Sequence, residues 1–484
     1  VRSRPFLKTA LFVLAAGSAA GHALAEDRVR LAQRWTPLTG ILSEGEEVPA
    51  ETSKSPKAAK PSGDKAPADK PAAELAKPAL APSAVHTSTQ SLNVVLSRMV
   101  TDGQPHGSLG VRTTAVDADL ADALSISESG ALVTEASSAT AAQGGLRAGD
   151  VILKFAGRDV QGVDALSAEL RATTADQTVS IEVWRAGEGS SDLKRLLVER
   201  AEAGNVGASA SLGRLLSLGL VFGPKNFGEA ATYYLKAAEK GHLASMTRYA
   251  LFAKDGIGIA KDETLAATWF QKAADGGQEA AMTNLGSLYE TGRGVKQDDA
   301  EAARWYRSAV DKGHVFAMHR LALLYEAGRG VTKDDKEAVR LLEAASEKGL
   351  SEATSWLAEK YEQGRGIAKN DAEASRLNAR AAEQVRRAAD LGNAVATFNL
   401  GILYRIGKGV KKSDTEAAYW VVRSLKLGDK YLIAELMRNP NVLSVDDRKW
   451  MQEVLRDEGA YTGPINGSFT PDVRTAMEDL AKRA

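Results

Sequence analysis

Side chains able to do covalent or metal chemistry are few in this chain, and their spacing argues against both. There is no cysteine, which removes disulfides, thiolate nucleophiles and zinc-thiolate sites together. Histidines stand at 22, 86, 106, 242, 314 and 319. His314 and His319 are five apart, neither the three nor the four that puts two ligands on one helix face, so they read as surface or groove histidines. Ahead of residue 107 no glycine-flanked serine offers a nucleophile, and there is too little chain for a catalytic barrel. No Ser/His/Asp or metal set is expected. The chain reads as a non-enzyme without cofactor or metal, whose chemistry is recognition.

Recognition needs surface, and the glycines show how it is built. They recur at 241, 277, 313 and 349, a spacing of 36, then after one step of 43 at 392, then after 36 again at 428. A fixed period in this range marks a solenoid, in which each unit buries its apolar face only against its neighbours. Stepping by the repeat from Asn226 gives Asp262, Asp298, Asp334, Asn370 and Ser413, six short polar side chains suited to cap helix N-termini. Three residues on stand Glu229, Glu301, Glu337, Glu373 and Glu416, with Leu265 the exception, a capping-box pattern. The longer step inserts seven residues around Ala379 to Val385, enough to lengthen one helix by about 10 Å while turning its faces only ~20°. Such a projection would serve as a docking feature or as a domain contact.

The totals bound the remainder. At 484 residues the chain is too long for one core. Its 62 basic and 62 acidic residues leave no bulk field to attract nucleic acid or an anionic membrane. Residues 1–25 combine Arg2, Arg4 and Lys8, an apolar run from Ala10 to Ala20, and Ala23-Leu24-Ala25. That is the order of a cleavable secretory signal, and the apolar run is too short to span a bilayer. Cleavage would start the mature chain at Glu26, take the net charge from 0 to −3 by removing three basic residues, and place the protein in the periplasm with no membrane span. Residues 26–106 read as an N-terminal segment and linker, with seven of the 14 prolines between Pro49 and Ser83 and no aromatic residue there.

From 107 to 200 the texture changes to short strands with glycine turns: Ser108 to Arg112, Ala131 to Glu135, Val151 to Phe155 and Val179 to Trp184, with a helix near Asp164 to Ala172. The segment Gly145-Leu-Arg-Ala-Gly-Asp-Val-Ile-Leu153, preceded by Gly130-Ala-Leu-Val133 and Ser108-Leu-Gly-Val111, resembles a PDZ domain of the bacterial HtrA protease type. The resemblance implies that the loop Ser108, Leu109, Gly110, Val111 aims backbone N–H groups at a peptide's terminal carboxylate. The strand after it would add the peptide against the helix. Leu109 and Val111, with Leu166 and Leu170, would then shape the pocket for an apolar last side chain.

Residues 203–429 carry the repeats, most openly from Ala281 as AMTNLGSLYETGRGVKQDDAEAARWYRSAVDKG. The 36-residue unit and its LG-x-x-Y, GRGV and WY-x-x-A elements resemble Sel-one-like repeats, a branch of the tetratricopeptide solenoids. Six repeats are counted, the first departing where Leu220 and Phe222 replace the paired loop glycines. The resemblance implies a concave binding face including Arg248, Asn284, Arg320, Trp356 and Asn399, the residues just before the LG position. Residues 444–484 resemble a peptidoglycan-binding-type helical domain, whose turn would present Tyr461, Gly463, Asn466, Gly467 and Phe469. Asn466 stands for the family's usual aspartate and Thr470 for its glycine, and the chain stops soon after the last helix. The module is therefore either a wall anchor or a cap for the solenoid. The fold class expected is multidomain and mainly α, with a small mixed β/α domain and a short C-terminal helical domain. The expected partners are proteins or peptide C-termini, and peptidoglycan if the last module is an anchor.

Overall fold

The structure, a computed structural model, describes residue 85 and residues 87–482 except 102, 103, 127, 128, 429, 439, 441, 442 and 444. The expected signal at 1–25 and linker at 49–83 lie outside the described residues, as do His22 and His86. The chain divides into two compact units, one ending at Gln278 and one beginning at Glu279.

The first unit opens with β1 (Thr87–Val95), β2 (Ser97–Thr101), β3 (Gln104–Ser108), β4 (Arg112–Ala115), α1 (Ala118–Leu124), β5 (Ala131–Glu135), α2 (Ala139–Gln143), β6 (Val151–Phe155), β7 (Arg158–Asp159), α3 (Val163–Arg171), β8 (Thr178–Ala186) and α4 (Ser190–Glu202). The main sheet is antiparallel in the order β1-β8-β6-β5-β4, with β7 on β6, while β2 and β3 form a separate ribbon. Its core includes Val94, Leu109, Val133, Ile152, Phe155, Leu166, Ile181 and Val183.

The sheet takes in a strand ahead of those expected from residue 107 on: β1 pairs along its whole length with β8, from Thr87↔Ala186 to Val95↔Thr178. Only Leu92 and Val94 of that polar strand turn to the core, too little alternation to announce it. The strand expected over Ser108 to Arg112 needs correction: it is broken at 109–111, with Ser108 ending β3 and Arg112 beginning β4.

The first unit closes with two helix pairs, α5 (Val206–Leu218) with α6 (Phe227–Glu239) and α7 (Leu243–Asp255) with α8 (Glu263–Asp275). Four more pairs make up most of the second unit: α9 (Glu279–Thr291) with α10 (Asp299–Asp311), α11 (Val315–Ala327) with α12 (Asp335–Glu347), α13 (Ser351–Gln363) with α14 (Asp371–Asp390), and α15 (Ala394–Ile406) with α16 (Asp414–Lys426). Then come α17 (Lys430–Arg438), α18 (Val445–Asp457) and α19 (Pro471–Lys482). No helix among the described residues is long and apolar enough to cross a membrane.

All six expected caps are made: Asn226, Asp262, Asp298, Asp334, Asn370 and Ser413 each accept a hydrogen bond from the backbone N–H three residues on. The return half of the capping box is not available. The cap's own N–H donates instead to a carbonyl nine residues back, from Asp298 to Tyr289, Asp334 to Tyr325, Asn370 to Tyr361 and Ser413 to Tyr404, which closes each helical hairpin. The glutamates at the third position turn to arginines one turn on, as in Glu301–Arg304, Glu337–Arg340 and Glu373–Arg376. Within α9, Gly286 lets the paired helix approach: a Cβ there would lie 2.8 Å from Tyr306 Cε1.

The long step behaves as expected, since α14 has 20 residues where α12 and α16 have 13. A finer consequence appears in the packing. In the fourth, fifth and sixth repeats the second loop glycine sits on a backbone carbonyl of the preceding repeat: Gly330 on Asp299, Gly366 on Asp335 and Gly409 on Asn378, at 2.0–2.1 Å from where a Cβ would be. The partner advances by 36 and then by 43, so the sixth repeat seats on α14 seven residues further along than the pattern of its predecessors.

Candidate peptide groove and inter-repeat staples

The loop 109–111 turns sharply between β3 and β4. Gly110 has φ +65, and its N–H donates to Ser108 Oγ at 3.1 Å. A Cβ at 110 would stand 2.0 Å from Ser138 Oγ, the group that caps α2. Gly110 is therefore required by the fold itself, so a bulky residue there would also displace that cap. Among the described strands β4 pairs only with β5, leaving its other edge open beside α3. Leu109 and Leu166 are 1% and 3% exposed and belong to the core, whereas Val111 and Leu170 are half-buried against it. The geometry thus offers an open strand edge, a helix beside it, and a floor of Val111 and Leu170.

Behind this edge lies a clamp that sequence reasoning missed. Asp150, which follows Gly149 just ahead of β6, is fully buried and receives Arg185 through two bonds of 2.6 Å. It also accepts the Arg147 N–H at 2.8 Å, while Arg185 donates to Gly145 O and Gln90 Oε1. The buried guanidinium is held charged by its hydrogen bonds to Asp150, against the opposing effect of burial. The clamp ties the glycine turn to β8 and β1. The pairing was illegible because the two residues are 35 apart and Arg185 lies just past the strand expected over Val179 to Trp184.

The strand-rich domain is fastened to the first repeats through α1. Asp117 Oδ2 lies 2.9 Å from Arg214 Nε, Asn205 Nδ2 donates to Asp122 Oδ2 at 3.0 Å, and Arg200 donates to Ser125 Oγ at 3.2 Å. His242 Nε2 lies 3.3 Å from Asp119 Oδ2, and His242 Nδ1 lies 2.8 Å from Ser245 Oγ. A Ser/His/Asp set therefore exists, contrary to the sequence reading. Its surroundings give it another role: Ser245 is 1% exposed inside α7, and His242 caps that helix by accepting the Ser245 N–H at 3.3 Å. A sealed hydroxyl cannot reach a substrate, so the string works as a strut between α1 and α7.

In the second unit the loop arginines do more than sit between turn glycines. Arg329 binds Asp299 Oδ1 at 2.6 Å and Glu290 Oε1 at 3.3 Å, and 36 residues on Arg365 binds Asp335 at 3.1 Å and Glu326 at 2.9 Å. Each loop staples its repeat to both helices of the one before. At the sixth repeat the counterparts are Lys408, Asn378 and Glu362. Burial weakens the Lys408 charge, Glu362 and Glu359 partly restore it, and Asn378 Nδ2 donates to Glu362 at 3.1 Å.

The residues expected on a concave binding face separate. Arg248, on α7 of the first unit, is half-buried. Asn284 is half-buried and spends its amide on Ala280 O at 2.9 Å. Trp356 and Asn399 are half-buried, Trp356 with the Lys360 ammonium 5.7 Å from its ring. Arg320 is a correction: it is 3% exposed and ion-paired to the fully buried Glu290, with Tyr306 OH donating to the same carboxylate at 2.8 Å. His319 is likewise no surface residue. It is buried beside Arg320 with Nε2 unpartnered, and burial first, then the neighbouring guanidinium, push its pKa down to about 3.

The turn of the C-terminal module also faces inward. Tyr461 is 4% exposed, Gly467 is buried, and Phe469 packs on the core. Gln452, buried in α18, accepts the N–H groups of Asn466 and Gly467 at 3.1 and 2.7 Å and donates to Ser468 O. Asn466 is exposed, but its side chain accepts the Ser468 N–H at 2.8 Å, while Gly463 lies against the Tyr461 ring. One continuous core joins Phe398, Val421 and Leu425 of the sixth repeat to Trp450, Leu455, Met477 and Leu480. The sixth repeat has its open end covered by this module.

Comparison with known proteins accords with this geometry. A Sel1 repeat family model matches residues 207–242, 243–278, 279–314, 315–350, 351–384 and 394–429, and a PDZ domain model matches 107–193. Over 83 residues the chain is 32% identical to a protein of Bartonella henselae described as a probable periplasmic serine endoprotease, DegP-like. That stretch is 17% of this chain and 16% of the relative, so the chain spans about a sixth of that relative's length. Among solved structures, a Sel1 repeat protein from Oxalobacter formigenes is 29% identical with TM-score 0.40, covering 49% of this chain and 91% of that one. A protective antigen present in uropathogenic Escherichia coli strains is 24% identical with TM-score 0.38, covering 57% and 65%.

Proposed function

We propose, from the premise that the chain is a Sel1-repeat protein carrying a PDZ domain, that it is a secreted, non-catalytic adaptor of the periplasm. Its PDZ groove takes protein C-termini, and its repeats take a second protein partner. The observation that carries the reading is the open edge of β4, which begins at the Gly110 loop and has α3 alongside. Such an edge accepts one more strand through main-chain hydrogen bonds, and a terminal carboxylate can be met by backbone N–H groups of the loop before it. Two sites on one chain raise local concentration of their partners, which suits a regulatory or envelope-organising role.

The periplasmic assignment draws support from the signal-like residues 1–25 and from the description of the Bartonella henselae relative. The same relative favours a second reading, an accessory subunit that brings substrates to a periplasmic protease or cell-wall hydrolase. Peptidoglycan attachment through the last module is the least supported component, because its turn packs inward. Pelleting with purified cell wall, with and without residues 445–484, decides it.

The central test compares peptides with free and amidated carboxyl ends by fluorescence anisotropy. Amidation is expected to weaken binding by about tenfold or more, the scale of losing hydrogen bonds to a charged group. Equal binding would exclude the carboxylate loop. Hydrolysis of a bound peptide by the purified chain would exclude the non-catalytic reading.

A further inference from the structure

A ligand whose carboxylate sits at the Ser108–Val111 loop must run antiparallel to β4, so its upstream residues leave the groove past Ala115. At about 3.3 Å per residue, β4 holds roughly four ligand residues. Beyond Ala115 the chain leads through Asp117 into α1, which is packed on α5 of the first repeat. Asp117 marks the direction, since its carboxylate meets Arg214 of α5 at 2.9 Å. Leu218 stands four residues on, on the same face of α5 and about 5–6 Å further along.

Leu218 is 50% exposed. In the next four repeats its counterparts are Asp255, Thr291, Ala327 and Gln363. The loop that follows is also apolar, Leu220-Val221-Phe222; the expected replacement of both loop glycines by Leu220 and Phe222 is corrected, since Gly219 keeps the place of the first as the helix cap and Val221 takes that of the second. Phe222 N–H donates to Leu220 O at 2.7 Å, closing a three-residue turn about Val221 at φ +66. This left-handed conformation is unfavourable for a β-branched residue and free for a glycine. Apolar surface is thus kept, at the cost of strain, at the end of the helix that Asp117 meets just beyond β4.

We propose that the peptide groove continues onto the first repeat. The ligand is an extended C-terminal tail: its last four residues add to β4, and an apolar residue at the fifth to eighth position from its end rests on Leu218 and the Leu220–Phe222 turn. The proposal rests on the groove reading above, and it makes the first repeat a specificity element of that groove.

Synthetic twelve-residue peptides, randomised and with free carboxyl ends, are to be selected against the full chain and against Leu218→Ser. The full chain is expected to enrich apolar residues at positions five to eight from the end, and L218S to lose that enrichment while keeping the same preference at the last residue. Trimming a selected peptide to its last four residues should cost about tenfold in affinity, the scale of partly burying one leucine. L218S should cost the long peptide the same and the trimmed one nothing, which also shows that the variant is folded. Equal affinities of long and trimmed peptides, or an upstream preference untouched by L218S, would overturn the continuation and leave the groove standing. No preference at the last residue, with amidated peptides bound equally, would overturn both.

Discussion

Glu290→Ala is expected to lower the stability of the unit beginning at Glu279 by about 3–5 kcal/mol, the usual loss when one member of a buried ion pair is removed. The carboxylate is fully buried and serves three groups: Arg320, the Tyr306 hydroxyl at 2.8 Å and Arg329 at 3.3 Å. Alanine would leave the Arg320 guanidinium, 3% exposed, without its counter-ion, and burial of an uncompensated charge dominates the cost. Tyr306 would lose its acceptor in the same place, fully enclosed in α10. A double variant with methionine at both 290 and 320 should recover most of the loss, because apolar groups of similar volume often replace a buried pair at little cost. Urea unfolding of the single and double variants is the measurement. A loss under about 1 kcal/mol for the alanine would mean that the pair is hydrated in solution.

The second large effect is a dependence on pH. His319 is held neutral by burial and by Arg320, with its pKa pushed down to about 3, whereas in the unfolded chain it titrates near 6.5. Its contribution is therefore fully present above pH ~6.5 and is lost as the pH falls toward ~3, because only the unfolded chain takes up the proton in that window. The slope is about 1.4 kcal/mol per pH unit, summing to about 4–5 kcal/mol. Glu290 on α9, Arg320 on α11 and Trp356 on α13 face the same region. Since other groups also titrate, the check is a difference: stability of the protein minus that of His319→Gln, measured from pH 7.5 to 4.5. A difference that stays constant across that range would show that the ring is solvated.

The periodic parts of the fold were legible because their causes are local. A cap must be a short polar residue, a helix end must be a glycine, and both recur at 36. Six caps and six repeats followed from that, as did the longer α14. What stayed hidden depends on partners far apart in sequence. Arg320 occupies a position that can carry surface residues, and nothing local says that Glu290, 30 residues earlier, will take it inside. Nothing local to Asp150 says that Arg185, 35 residues later, will be placed against it. The Ser245, His242 and Asp119 string is spread over two domains. β1 is so polar that only its partner β8 makes it a strand. The capping box failed for an equally physical reason, since the cap N–H already had a carbonyl of its own hairpin to bind.

The seat of Gly409 on Asn378 carries a last implication. Because the sixth repeat takes its place from a point two turns along α14, the length of that one helix acts as a ruler for everything fastened to it, including the module that covers the repeat's open end. Removing a heptad from α14 would preserve which side chains face inward yet retract that terminal portion by about 10 Å. Removing three or four residues would also twist it away from its seat. Helix length, with no change of contact chemistry, therefore sets where the chain presents its C-terminal surface.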